Sequence, residues 1–174
     1  MTTDTELLAW IAAADADAHP APPIDTRALA QASLDAWRGL TVRQPWGSCI
    51  ASGRKTVENR TRRTSHRGPI AIHTSLRGFD ELALLSPWVL EALMDAPGGS
   101  FHHGRIVAVA EITDCHEAAG CCWPWGEPGP GVYHWALANV RRLSEPVPCT
   151  GALGFWRPQP AVLAAVLEQL GGAA

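Results

Sequence analysis

The chain has 174 residues, 47% of them hydrophobic and 18% charged, with a formal net charge of -3. That apolar share supports a core and excludes wholesale disorder, and the length suits one domain. No apolar run approaches the roughly 20 residues that cross a bilayer, and the first residues, Met1 to Glu6, lack the basic start of an export signal. A cytoplasmic protein without membrane contact is expected.

In chain order, Thr5 to Ala14 reads as a short helix with Leu7, Leu8 and Ile11 on one face. His19-Pro20-Ala21-Pro22-Pro23 breaks it, because proline removes a backbone donor, and a second short helix runs from Asp25 to about Trp37. Residues 1–38 are expected to form an acidic helical extension. The period then changes to that of strands. Leu40-Thr41-Val42-Arg43-Gln44 alternates, Pro45 opens a short helix to Gly53, and Lys55 to Arg60 alternates again. Gly68 to His73 reads as a buried strand ended by Thr74, Ser75 and Gly78, and Phe79 to Met94 as a helix closed by Ala96-Pro97-Gly98-Gly99. Arg105 to Thr113 is a strand by its β-branched content, residues 117–131 are a Gly/Pro-rich loop, and Val132 to Val140 and Gly151 to Trp156 complete the strands. Pro160 to Leu170 is a final amphipathic helix. Short strands with helices only at intervals predict an α+β fold, a small β-barrel with flanking helices, rather than a doubly wound sheet.

The net charge is an average over two opposed segments. Residues 1–35 hold six acids against Arg27, a net of -5, whereas residues 43–67 hold seven cations against Glu58, a net of +6. Those cations are Arg43, Arg54, Lys55, Arg60, Arg62, Arg63 and Arg67, and Lys55 is the single lysine beside 13 arginines in the sequence. Such a density attracts phosphate, and arginine offers a planar fork for bidentate bonds. The alternative reading is a solvated loop of charge. If Lys55 to Arg60 is a strand, one face collects Lys55 (or Thr56), Glu58 and Arg60. Five cysteines include the adjacent pair Cys121-Cys122, which suits reduced thiols better than a disulfide framework. His102-His103, Cys115-His116 and Cys121-Cys122 match none of the common zinc spacings, so no metal or other cofactor is expected.

Four motifs, Arg43-Gln44-Pro45-Trp46, Gly53-Arg54-Lys55-Thr56-Val57-Glu58-Asn59-Arg60, Arg67-Gly68-Pro69-Ile70-Ala71-Ile72-His73 and Pro146-Val147-Pro148-Cys149-Thr150-Gly151-Ala152-Leu153-Gly154-Phe155-Trp156, occur in this order. With them the chain resembles the ASCH (activating signal cointegrator homology) domain, a family of the PUA-like superfamily, over residues 39–158. The resemblance leaves residues 159–174 as a separate C-terminal helix. It implies a PUA-like small β-barrel, a cleft beside the Gly-x-Lys segment, and binding of RNA or another nucleic acid. Some relatives act on nucleic acid or nucleosides. Carried over, Lys55 borders the cleft, Glu58 and Arg60 follow it, and Arg43, Gln44 and Trp46 form the entry motif.

The expected function is therefore binding of single-stranded RNA or DNA, or of a nucleotide, with phosphate held by the seven cations. Gln44 and Glu58 would read a base edge, Trp46 would stack on a base, and Trp125 or Trp135 would face Trp46 as a lid. The alternative is a hydrolase of RNA or of a modified nucleoside with Lys55 and Glu58 central, and with His66 and His73 as further acid/base groups of a ribonuclease. Amidohydrolases among the relatives place a threonine nucleophile three residues after the lysine. Here that position is Glu58, and a carboxylate does not replace an activated hydroxyl.

Overall fold

The computed structural model describes residues 34–81, 83, 86–94 and 101–171. Both expected N-terminal helices, apart from the 3-10 turn Leu34–Ala36, lie outside the described residues, as does the Ala96-Pro97-Gly98-Gly99 stop. Six strands follow the turn: β1 (Arg38–Gln44), β2 (Val57–Arg60), β3 (Gly68–Phe79), β4 (Arg105–Glu117), β5 (Tyr133–Pro148) and β6 (Phe155–Trp156). Three helices accompany them: α1 (Trp46–Ala51), α2 (Pro87–Met94) and α3 (Pro160–Gly171).

The strands form one mixed sheet in the order β2-β5-β4-β3-β1-β6. β1 and β3 run parallel, with Leu40 opposite Ile72 and Thr41 opposite His73, and every other pairing is antiparallel. The α+β class is as expected. The pairings make an open sheet with β2 and β6 at its edges, and among the described residues no ladder joins those edges into a barrel. At one edge Gly39 sits under the Trp156 ring, where a Cβ would lie 2.3 Å from the indole; only glycine permits that approach.

Alternation in the strands divides the core between two faces. Leu40, Val42, Ile70, Ile72, Ala108, Ile112 and Leu137 pack on one face with Ile50 of α1. Ala71, Ile106, Val109 and Leu143 point the other way and meet Leu163, Val166 and Leu170 of α3, together with Trp37. The spacing of those three α3 residues sets them on one stripe, each worth about 1.5–3 kcal/mol when buried. A third cluster joins Cys49 of α1 and Val57 of β2 to Val89 and Ala92 of α2 and to Trp125.

Several boundaries differ from the sequence reading: β2 begins at Val57 rather than Lys55, β4 runs on from Thr113 to Glu117, and the strand expected over Gly151 to Trp156 is only Phe155–Trp156. β3 does not end at His73 but runs on to Phe79, with Gln44 opposite Phe79 beyond a bulge, so Ser75 and Arg77 belong to a strand. The expected helix from Phe79 shrinks to α2, which begins at Pro87, a residue suited to the first helical position because its missing N–H has no helical partner there. β5 continues through Arg141 and Leu143 to Pro148, carried past a shift in register opposite β4. Among the described residues no helix is long and apolar enough to cross a membrane.

Candidate functional site

A cleft of about 460 Å³ opens at the end of the sheet where β1 leads into α1. Thr41, Val42 and Arg43 of β1 and Trp46 of α1 form one wall. Lys55 lies at the base with Glu58, Asn59 and Arg60 of β2, and Ser75 and Arg77 come from the extension of β3. Glu127 and Ala152 to Gly154 close the rim.

Lys55 is the centre of this arrangement and is only 2% exposed. Its Nζ donates to the Val57 carbonyl, lies 3.9 Å from Glu58 Oε2, and sits over the rings of Trp46 (5.2 Å) and Trp125 (5.8 Å). Burial pushes its pKa below the ordinary lysine value, and the carboxylates of Glu58 and Glu127 only partly restore the charged form. Glu58, 7% exposed, also pairs with Arg60 at 3.0 Å. Arg60 in turn donates to the Thr41 carbonyl at 2.9 Å and lies 5.9 Å from the Trp135 ring, so its guanidinium spans the gap between β2 and β1. Behind Lys55, burial lifts the Cys49 thiol to about 12, which keeps it neutral and unreactive.

Of the sequence-derived residues, Arg43, Trp46, Lys55, Glu58 and Arg60 come together in the cleft. Gln44 does not. It is fully buried, its Nε2 donates to the His102 carbonyl (2.8 Å), and its Oε1 accepts from both the N–H and the hydroxyl of Ser48. Gln44 thus satisfies an otherwise unpaired N–H in the first turn of α1 and has no edge to offer a base. Arg54 is drawn away to Glu91 of α2 at 3.0 Å. Arg62 and Arg63 are exposed in the loop after β2, and Arg67 reaches Asp114 of β4 at 3.5 Å; none of the three lines the cleft. The two histidines are also elsewhere. His73 is held by Thr41 and the Cys149 carbonyl, and His66 packs on Phe155, so the acid/base set expected of a ribonuclease is not assembled around Lys55.

Neither tryptophan expected as a lid lines the cleft: the Trp125 ring lies 5.8 Å from the Lys55 ammonium, and Trp135 stacks on Phe155 with centroids 4.9 Å apart. The Trp125 ring is in addition part of the apolar cluster with Cys49 and Val89. Arg77, Asn59 and Glu127 were not singled out by the sequence reading. Arg77 follows the point where the β3 pattern loses its apolar run, and Glu127 lies in a loop. Asn59 holds that loop in place: its Nδ2 donates to the Trp125 carbonyl and its Oδ1 accepts from the Glu127 N–H. A second constellation lies beyond the cleft, where ligand-type atoms of His116, Cys121, Cys122 and His134 all fall within 4.8 Å of one another.

A family model described as the ASCH domain matches residues 40–146, well over half of the chain. The chain belongs to the ASCH domain family. The matched span runs from β1 almost to the end of β5 and so takes in every cleft residue except Ala152, Leu153 and Gly154. It ends at Pro146, the first residue of the Pro146 to Trp156 motif, and leaves out α3. Comparison with curated proteins finds no match.

Proposed function

We propose that this ASCH domain binds single-stranded RNA or DNA by seating one nucleotide in the cleft around Lys55, within the PUA-like frame that the family implies. The observation carrying this reading is the composition of the cleft: four cations (Arg43, Lys55, Arg60, Arg77) against two carboxylates (Glu58, Glu127), beside a half-buried tryptophan. Its volume of about 460 Å³ is that of a small-ligand pocket and too small for a duplex. Arg43 and Arg77, both exposed at the mouth, take the flanking phosphates as bidentate partners. Trp46 supports the base and Glu58 accepts from an exocyclic amine. Arg54, Arg62, Arg63 and Arg67 lie outside the cleft and extend the positive field along the strand, with a contribution that salt screens.

The test is titration of labelled single- and double-stranded RNA and DNA, and of free nucleotides, across a range of salt. Single strands are expected to bind, with log affinity falling linearly as log salt rises, by about 0.7 per phosphate contacted. Equal binding of duplexes, or affinity indifferent to salt, would remove the proposal.

One observation favours hydrolysis of a modified nucleoside as a second reading. Lys55 is a buried amine with a lowered pKa, touching a carboxylate on the floor of a cleft, the kind of perturbed pair that acid/base chemistry uses. Catalysis requires that Lys55→Met abolish turnover of a bound substrate while leaving its affinity within a few-fold, and that turnover be seen at all.

A further inference from the structure

The loop between β4 and β5 brings four side chains to one point. His116 near the end of β4 and His134 near the start of β5 stand directly opposite each other across the ladder, their rings edge to face with centroids 5.4 Å apart. Cys121 and Cys122 fold back over them from the intervening loop. Cys121 Sγ lies 3.5 Å from His134 Nδ1, and Cys122 Sγ lies 3.3 Å from His116 Nε2. With Zn–S near 2.3 Å and Zn–N near 2.0–2.1 Å, neighbouring ligand atoms of a tetrahedral zinc site stand roughly 3.3–3.8 Å apart. The observed sulfur–nitrogen separations are therefore those of a formed site, and the 4.8 Å limit on the whole set leaves little to contract.

A second observation points the same way. The ring nitrogen of each histidine that faces away from the sulfurs is already held. His116 Nδ1 is 2.7 Å from Asp114 Oδ2, and His134 Nε2 is 2.9 Å from the Glu127 carbonyl. Carboxylate and carbonyl acceptors behind imidazole ligands are the usual supports of a metal centre, since they fix the tautomer that leaves the inner nitrogen bare. The loop is also built for close approach. A Cβ on Gly126 would lie 2.6 Å from both the Cys121 carbonyl and His134 Cε1, and Cys122 adopts a left-handed φ of 63°.

We propose that His116 Nε2, Cys121 Sγ, Cys122 Sγ and His134 Nδ1 bind one Zn²⁺ ion tetrahedrally. Both thiols release their protons to solvent on binding, so two thiolates balance the charge of the ion and both imidazoles stay neutral. No ligand position is left open, which makes the role structural. The ion would fasten the segment that supplies Trp125 and Glu127 to the Lys55 cleft: Trp125 and Gly126 donate their N–H groups to the Cys122 carbonyl, at 3.0 and 2.6 Å.

The experiment is a Co²⁺ titration of the full reduced chain, followed by Zn²⁺ competition. Expected are the visible bands of a tetrahedral cobalt site with thiolate charge transfer, saturating at one ion per chain and displaced by Zn²⁺. Cys122→Ser should abolish the stoichiometric bands while far-ultraviolet circular dichroism stays unchanged, and Cys149→Ser should keep them. If Cys122→Ser does not fold, His116→Ala at the half-exposed end of β4 reads the same point. Asp114→Asn should weaken Co²⁺ affinity roughly 10-fold. Absence of tetrahedral bands in the folded, reduced protein, or their survival in both ligand variants, would overturn the proposal.

Discussion

Glu58→Gln removes one negative charge and little volume from a buried triad. Glu58 lies 3.9 Å from the Lys55 ammonium and 3.0 Å from the Arg60 guanidinium, and the side chains of Glu58 and Lys55 are only 10% and 3% exposed. At an effective dielectric of about 20, the Lys55–Glu58 attraction is about 4 kcal/mol. Relief of the desolvation of Glu58 offsets a part, and unpaired buried ions cost about 3–5 kcal/mol, so a loss near 3 kcal/mol at pH 7 is expected. For a chain of this size that lowers Tm by about 6–12 °C. The loss should also depend on pH. Burial makes Lys55 hold its proton less tightly in the folded chain than in the unfolded one. The unfolded state therefore binds more protons between the lowered folded value and the ordinary 10.5, and stability rises with pH across that window. Without Glu58 the folded value drops further, so the window widens downward. The variant's deficit is then largest near neutrality and shrinks towards pH 10. Urea denaturation of both proteins at pH 7 and pH 9.5 measures it, and Lys55→Met in the Glu58→Gln background should recover part of the loss. A deficit below about 1 kcal/mol at pH 7, or one that does not shrink as pH rises, would refute the reasoning.

The cleft mouth gives a second prediction: Arg77→Ala and Arg43→Ala should each weaken single-strand binding several-fold and reduce the salt slope by about 0.7, as read by fluorescence anisotropy. Gly39→Ala should destabilise the sheet by about 1–3 kcal/mol in urea melts, because its Cβ would meet the Trp156 ring at 2.3 Å. His73 and His66 are both pushed below the ordinary 6.5 chiefly by burial, so the folded chain binds fewer protons than the unfolded one, and stability should fall as pH drops below about 6.5. Substituting His73 by glutamine should flatten that part of the pH profile.

The legible part of the site was the part governed by local alternation. Glu58 and Arg60 are two residues apart on one strand, and their side chains pair as a period of two requires. Lys55 precedes the strand, and its long side chain brings the ammonium within 3.9 Å of Glu58 and over the Trp46 and Trp125 rings. Gln44 lies outside the cleft because its side chain is held by the His102 carbonyl, 58 residues away, and by Ser48 of α1. Nothing in the Arg43-Gln44-Pro45-Trp46 motif distinguishes a capping amide from a base-reading one. Arg77 was overlooked for a related reason, since a bulge lets β3 continue beyond the polar residues that resemble a strand end. The Cys/His cluster illustrates the same limit. The sequence grouping of His102, His103, Cys115 and His116 with the cysteines follows proximity along the chain, whereas the fold excludes Cys115, which accepts from the Thr64 N–H. It recruits His134 instead through strand register. The α+β class and most strands followed from composition and period, while the order of the strands and the open edges required tertiary pairing.

The claim that a nucleotide sits around Lys55 is tested most directly by photo-crosslinking a bound single strand to the full chain and mapping the attached peptides by mass spectrometry. The account predicts crosslinks at Trp46, within β2 and at the Arg77 end of β3. Crosslinks confined to the exposed Arg62, Arg63 and Arg67 loop, with the cleft peptides unlabelled, would contradict it.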